Sequence, residues 1–160
     1  MMQTDVKSYH ASASGVATTN PVRLKNVLVT TGTVSARNMA VADPATSQSG
    51  TWSRTGTLVT VTINNNGLTN GQRVFLDVAA GTTMRDGVYE VANVATNTFT
   101  VTVGSATTNG NVTMYAVVLA EFDSSNATSF YTLIPGEGIL AEEGIYVGVP
   151  ADVTTTLFYG

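Results

Sequence analysis

Residues Thr57-Leu-Val-Thr-Val-Thr-Ile63 alternate apolar and hydroxyl side chains with a period of two. In an extended strand this puts Val59, Val61 and Ile63 on one face, with Thr60 and Thr62 on the other. Thr98-Phe-Thr-Val-Thr-Val103 repeats the pattern with Phe99, Val101 and Val103. Asp152-Val-Thr-Thr-Thr-Leu-Phe-Tyr159 repeats it with Val153, Thr155, Leu157 and Tyr159. Val and Thr are stiff at χ1 and fit a pleated surface better than a helix. No window of useful length shows a 3.6-residue period, so the expected fold is all-β with little or no helix.

The punctuation between these runs is turn chemistry. Asn64-Asn-Asn-Gly67, Asn70-Gly71, Asp86-Gly87 and Asn109-Gly110 can each supply a positive φ in a tight turn. They delimit expected strands at 57–64, 72–78, 88–94, 98–104 and 112–120, in a meander or small barrel. Residues 1–20 are small and polar without alternation, and read as an extended arm ordered against a neighbour. Asp43-Pro-Ala-Thr-Ser-Gln-Ser-Gly50 reads as a linker, and Asn109-Gly-Asn111 as the return joint. The chain thus divides into an arm (1–20), a discontinuous antiparallel β-sandwich of jelly-roll type (21–48 and 115–160), and an inserted small β-barrel (49–114). With the insert removed, 35–41 and 116–122 would pair as a hairpin. Hairpin tips tolerate insertions because little backbone bonding is disturbed there.

Composition narrows the function classes. Only 11% of the 160 residues are charged, against 43% apolar. That is the surface of a β-protein packed against copies or partners, or of one simply rich in hydroxyls. Absence of cysteine removes disulfides, zinc thiolates and cysteine nucleophiles. The start has no apolar region of the kind a secretory signal needs, and no run has the length of a membrane span. A net charge of −4 argues against nucleic-acid binding. Lys7, Arg23, Lys25 and Arg37 fall in the first 48 residues. Glu121, Asp123, Glu137, Glu142, Glu143 and Asp152 fall after residue 114 without a Lys or Arg. These two regions can complement each other within one fold or between subunits.

Catalytic chemistry finds little footing. The one histidine, His10, lies in the arm, and no Gly-x-Ser-x-Gly elbow accompanies the serines. Glu142 and Glu143 are adjacent, so on a strand they would face opposite sides, which does not suit a glycosidase pair. Glu137 follows Pro135-Gly136 in an expected tight turn. Asp123-Ser-Ser-Asn126 lacks the calcium-loop pattern, and no phosphate loop or dinucleotide fingerprint is present. Arg85-Asp-Gly87 reads as a hairpin tip. The expectation is a non-enzymatic protein with no catalytic residues, cofactor or metal.

Three segments carry a resemblance. Met1-Met-Gln-Thr-Asp-Val-Lys7, Leu133-Ile-Pro-Gly-Glu-Gly-Ile139 and Phe158-Tyr-Gly160 resemble small structural proteins of tailed bacteriophages, especially marine and cyanobacterial ones. The middle segment is similar to a separate repeat of phage tail and capsid accessory proteins. It does so through Thr51-Trp-Ser-Arg-Thr-Gly56, Gly67-Leu68, Gly71, Asp86-Gly-Val-Tyr89 and Asn97-Thr-Phe-Thr100. That repeat is likened in fold to the small β-barrel of ubiquitin-activating enzymes. Its members usually carry His before the Gly-Leu pair, where this chain has Asn66. The resemblance implies a virion protein assembled in the bacterial host cytoplasm. A capsid decoration (cement) protein docked on the major capsid protein shell is the first expectation; a tail, neck or fibre-attachment protein is the second. A glycan-binding module, using several aromatics on one face, is the third. Self-association is expected, with a trimer as the solution suited to quasi-threefold positions. Lys7, Tyr9, His10, Arg23, Lys25, Glu142 and Glu143 are the expected interface residues.

Overall fold

The computed structural model describes residues 5–31, 38–78, 84–123 and 129–160. Its strands are β1 (Lys7–Ala11), β2 (Gly15–Thr18), β3 (Val22–Thr31), β4 (Met39–Ala42), β5 (Ser47–Thr62), β6 (Arg73–Val78), β7 (Gly87–Glu90), β8 (Thr98–Tyr115), β9 (Val118–Phe122), β10 (Phe130–Leu133), β11 (Ile139–Ala141), β12 (Ile145–Gly148) and β13 (Val153–Tyr159). A 3₁₀ turn at Pro44–Thr46 precedes β5, with Asp43 Oδ1 accepting the Ala45 N–H at 2.9 Å. The fold is all-β, and every strand pair is antiparallel.

Two sheets form a sandwich. The first runs β1-β13-β3-β10, with β11 joining β3 beyond β10. The second runs β2-β12-β4-β9. Leu24, Val27, Val29, Val153 and Leu157 from the first sheet meet Met39, Val41, Ile145 and Val147 from the second in one core. This follows from period-two patterning: β13 alternates buried and half-buried residues along its whole length.

The third sheet, β5-β8-β6-β7, curls into a nearly closed barrel. β5 and β8 pair along almost their full length, bending at a register shift where Gly56 has φ +68°. A Cβ on Gly50 would lie 2.2 Å from the Thr62 carbonyl oxygen, so the two ends of β5 meet at that glycine. Trp52, Val59, Val61, Val74, Leu76, Phe99, Val101 and Met114 fill the interior.

β4 and β12 are buried at every position. One set of their side chains faces the sandwich core. The other set, Ala40, Ala42 and Tyr146, packs against Phe75, Val88 and Tyr115 of the barrel. The Tyr115 and Tyr146 rings stack with centroids 3.7 Å apart. Tyr146 donates its hydroxyl to Asp77 Oδ2 at 2.6 Å, and Arg73 forks onto Glu121 at 2.6 and 2.8 Å. The barrel is therefore seated on the outer face of the second sheet rather than projecting as a free knob.

The structure revises several sequence expectations. Residues 7–18, read as an arm, are two strands: β1 pairs with β13, and β2 with β12. Their backbone partners lie more than 120 residues away, so the local sequence carries no trace of them. Ser47–Gly50, read as linker, opens β5. Asn109-Gly110 is mid-strand, not a turn, with Gly110 opposite the inward-facing Trp52. By contrast Asn65, Gly67, Gly71, Gly87 and Gly136 take the expected positive φ, and Asp86-Gly87 ends the connection between the antiparallel strands β6 and β7. Residues 39–42 pair with 118–122, as their patterning suggests; Ser35–Arg37 lie outside the described residues.

A Cβ on Gly148 would fall 2.3 Å from the fully buried Phe75 ring. Gly148→Ala should therefore destabilise the fold by roughly 1–3 kcal/mol, through overpacking at the junction. Urea unfolding checks this, and an unchanged midpoint would contradict the close seating of the barrel.

Candidate functional site

Among the described residues no strand packs on the outer face of the first sheet. Its side chains stand in cross-strand rows. His10, Thr156, Leu28 and Tyr131 form one row across β1, β13, β3 and β10. Ser8, Phe158, Asn26 and Leu133 form the next. Leu140 of β11 stands opposite Arg23 beyond them. Tyr131 is 59% exposed, Leu133 66% and Leu140 43%. An antiparallel sheet with one free face normally turns polar residues outward. Here Phe158 and Leu28 extend the exposed leucines and tyrosine into a contiguous apolar strip, the usual mark of an interaction surface.

The described parts of the three end segments, residues 5–7, 133–139 and 158–160, converge beside this strip. Lys7 pairs with Tyr159, and Gly160 exchanges two backbone hydrogen bonds with Arg23, at 3.0 and 3.1 Å. Residues 134–138 turn from β10 into β11 and return the chain along β3. Gly136 has φ +66°, and Gly138 has φ +81° with a Cβ position only 2.3 Å from the Leu24 carbonyl oxygen. Only glycine fits that second position without displacing β3.

The expected interface residues map mostly onto this sheet. His10 is exposed, with Nδ1 3.0 Å from Thr156 Oγ1. Arg23 and Lys25 lie on β3. Lys25 donates to the Glu137 backbone carbonyl at 2.7 Å, and Arg23 reaches the Gly138 carbonyl at 3.5 Å. Lys7 stands exposed at the end of β1, while Tyr9 takes the opposite parity from His10 and packs into the sandwich core. Glu142 and Glu143 are both exposed in the turn between β11 and β12, not on opposite faces of a strand. Their turn begins one residue beyond the Ala141–Val22 pair, and its Gly144 lies against the Thr18 and Thr19 backbone. Tyr131, Leu133, Leu140 and Phe158 were not among the expected interface residues. Their signal is in 130–133, Phe-Tyr-Thr-Leu, which places large apolar residues at both parities of one strand.

Elsewhere the polar groups serve the scaffold. Asn66 is buried. Its Nδ2 donates to the Ala95 and Thr96 carbonyls at 2.8 and 3.1 Å, and its Oδ1 accepts the Leu68 N–H at 3.1 Å. Both amide donors and the oxygen go into lacing two loops. The barrel aromatics Trp52, Phe75, Tyr89 and Phe99 are all buried, so they do not form the exposed ring platform expected of a saccharide site. Among the described residues no cluster of three metal-ligating side chains occurs, and no helix is long and apolar enough to cross a membrane.

Two carboxyls missed in the sequence meet at the barrel junction. Asp86 Oδ1 accepts the Val78 N–H at 2.7 Å, and Asp77 takes the Tyr146 hydroxyl proton in its hydrogen bond. Burial pushes the Asp86 carboxyl up to about 6; the Val78 hydrogen bond opposes this and the Asp77 charge adds to it. Burial also raises the Tyr146 hydroxyl, reinforced by Asp77. At Glu121, burial pushes upward but is outweighed by Arg73 and Asn38, which hold its carboxyl below the ordinary value.

No protein-family model, no curated protein and no solved structure matches the chain.

The Asp86 environment has a defined sign. A carboxyl raised in the folded state contributes stability that is complete below its unfolded value and is lost as pH rises through its folded value, about 6. Asp86→Asn keeps an oxygen acceptor for the Val78 N–H. It should raise stability at neutral pH and remove the slope between about pH 4 and 6. Urea midpoints of the two proteins across that range check it; parallel curves would contradict the shift.

Proposed function

We propose that this chain is a bacteriophage virion structural protein, a capsid decoration (cement) protein that docks on the major capsid protein shell and stabilises it. The observation that carries the reading is the convergence of segments 5–7, 133–139 and 158–160 at one end of the first sheet. Those segments carry the resemblance to phage structural proteins. They frame an apolar face that a free protein would leave in water. Copies joined through such a face would tie the shell together. Binding energy gained only by the assembled shell adds to shell stability by linkage. The low charge and the seated barrel suit a rigid part of an assembly formed in the host cytoplasm.

Copy number tests this reading. Quantitative mass spectrometry of purified particles should place the chain at a fixed symmetric fraction of the major shell protein. A ratio of a few per cent would place it at a tail, neck or fibre attachment instead. Absence from particles would overturn the virion reading.

A further inference from the structure

The first sheet differs in charge from the rest of the molecule. Its five strands carry Lys7, His10, Arg23 and Lys25 and no acidic residue. All eleven acids lie off these strands, against the four remaining cations. Acids outside any ion pair stand in the turns that border the strip: Glu137 between β10 and β11, and Glu142 and Glu143 between β11 and β12; Asp5 lies beside Gly160 at the β1 end. None of Arg23, Lys25, Glu137, Glu142 or Glu143 forms an ion pair with another described residue. Lys25 and Arg23 spend their contacts on backbone carbonyls instead.

From this we infer that the occupant of the apolar face is a second copy of this chain. Tyr131, Leu133, Leu140 and Phe158 form the buried centre of the contact. Arg23 and Lys25 of one copy meet Glu142 and Glu143 of the next. An apolar centre with a charged rim is the ordinary anatomy of a specific interface. The surface complementary to the cationic sheet is present on the same chain, which is what self-assembly requires. The contact is reciprocal if a two-fold relates the copies, and runs head to tail if they close a ring. Uncovered, the strip would leave three large side chains solvated while their neighbours in the same strands are core. The inference rests on the same face as the proposed function and names what covers it.

Sedimentation velocity on the full chain over a concentration series tests it. The expected result is a discrete oligomer that dissociates on dilution. Leu133 is exposed in the free chain, so Leu133→Asp should leave the fold intact by circular dichroism while weakening association at least ~30-fold, as loss of a central contact does. The pair Arg23→Glu and Lys25→Glu should weaken it by about tenfold or more, as should the pair Glu142→Lys and Glu143→Lys. Combining all four substitutions in one chain should restore association. A chain that stays monomeric throughout the series, or oligomers indifferent to all these variants, would overturn the inference. A charge swap without rescue would overturn the pairing of these residues. A monomeric chain still found in particles at high copy would leave the cement function standing. An oligomer absent from particles would do the reverse.

Discussion

The two central strands of the second sheet, β4 and β12, are the constraint on which the architecture depends, because they are buried on both faces. Every residue of β4 and β12 is inaccessible. Such strands cannot alternate apolar and polar residues, and theirs read Met-Ala-Val-Ala and Ile-Tyr-Val-Gly. The large residues Met39, Val41, Ile145 and Val147 fill the sandwich. Ala40, Ala42 and Gly148 on the other side are small, which lets Phe75 and Tyr115 of the barrel approach closely. Tyr146, the one large residue on that side, stacks on Tyr115 and hands its hydroxyl to Asp77. Buried hydroxyls need a partner, and this one finds it across the junction. The result is three layers: first sheet, second sheet, barrel.

That layering determines which surfaces are left to work with. The barrel occupies one side of the sandwich, so the outer face of the first sheet is the broad apolar surface that remains. A domain selected only to be soluble would place hydroxyls there, as the outward Thr154 and Thr156 of β13 do. Leu133, Tyr131 and Leu140 depart from that rule on the adjoining strands. The end segments that frame them have physical reasons of their own. Gly138 permits a backbone approach to β3, and Gly160 extends the β-ladder beyond Tyr159 by two hydrogen bonds with Arg23.

Much of the fold was legible because the strands of the barrel advertise themselves by period-two alternation and by turns rich in Asn and Gly. The alternation at 57–63 and 98–103 marks two strands that do pair, with Val61 opposite Phe99. Legibility failed where partners are distant. β1 and β2 have no apolar pattern of their own, because each lies at a sheet edge and takes its order from β13 or β12. Asn109-Gly110 misled because a glycine opposite a large inward side chain looks in sequence like a turn. At the candidate site, the charges Arg23, Lys25, Glu142 and Glu143 could be picked out by type. The apolar strip could not, since an outward leucine in a strand of mixed parity is indistinguishable from a core leucine until the second face of the sheet is known.

The central claim is that the assembled protein covers the outer face of the first sheet and leaves the barrel surface open. Hydroxyl-radical footprinting of the chain within purified particles, read residue by residue by mass spectrometry, tests it directly. Leu58, 47% exposed on the barrel, provides the internal reference. The account predicts that Tyr131, Leu133 and Leu140 are protected while Leu58 is oxidised. Oxidation of Tyr131, Leu133 and Leu140 with protection of Leu58 would contradict it, and would make the barrel the buried partner of the assembly.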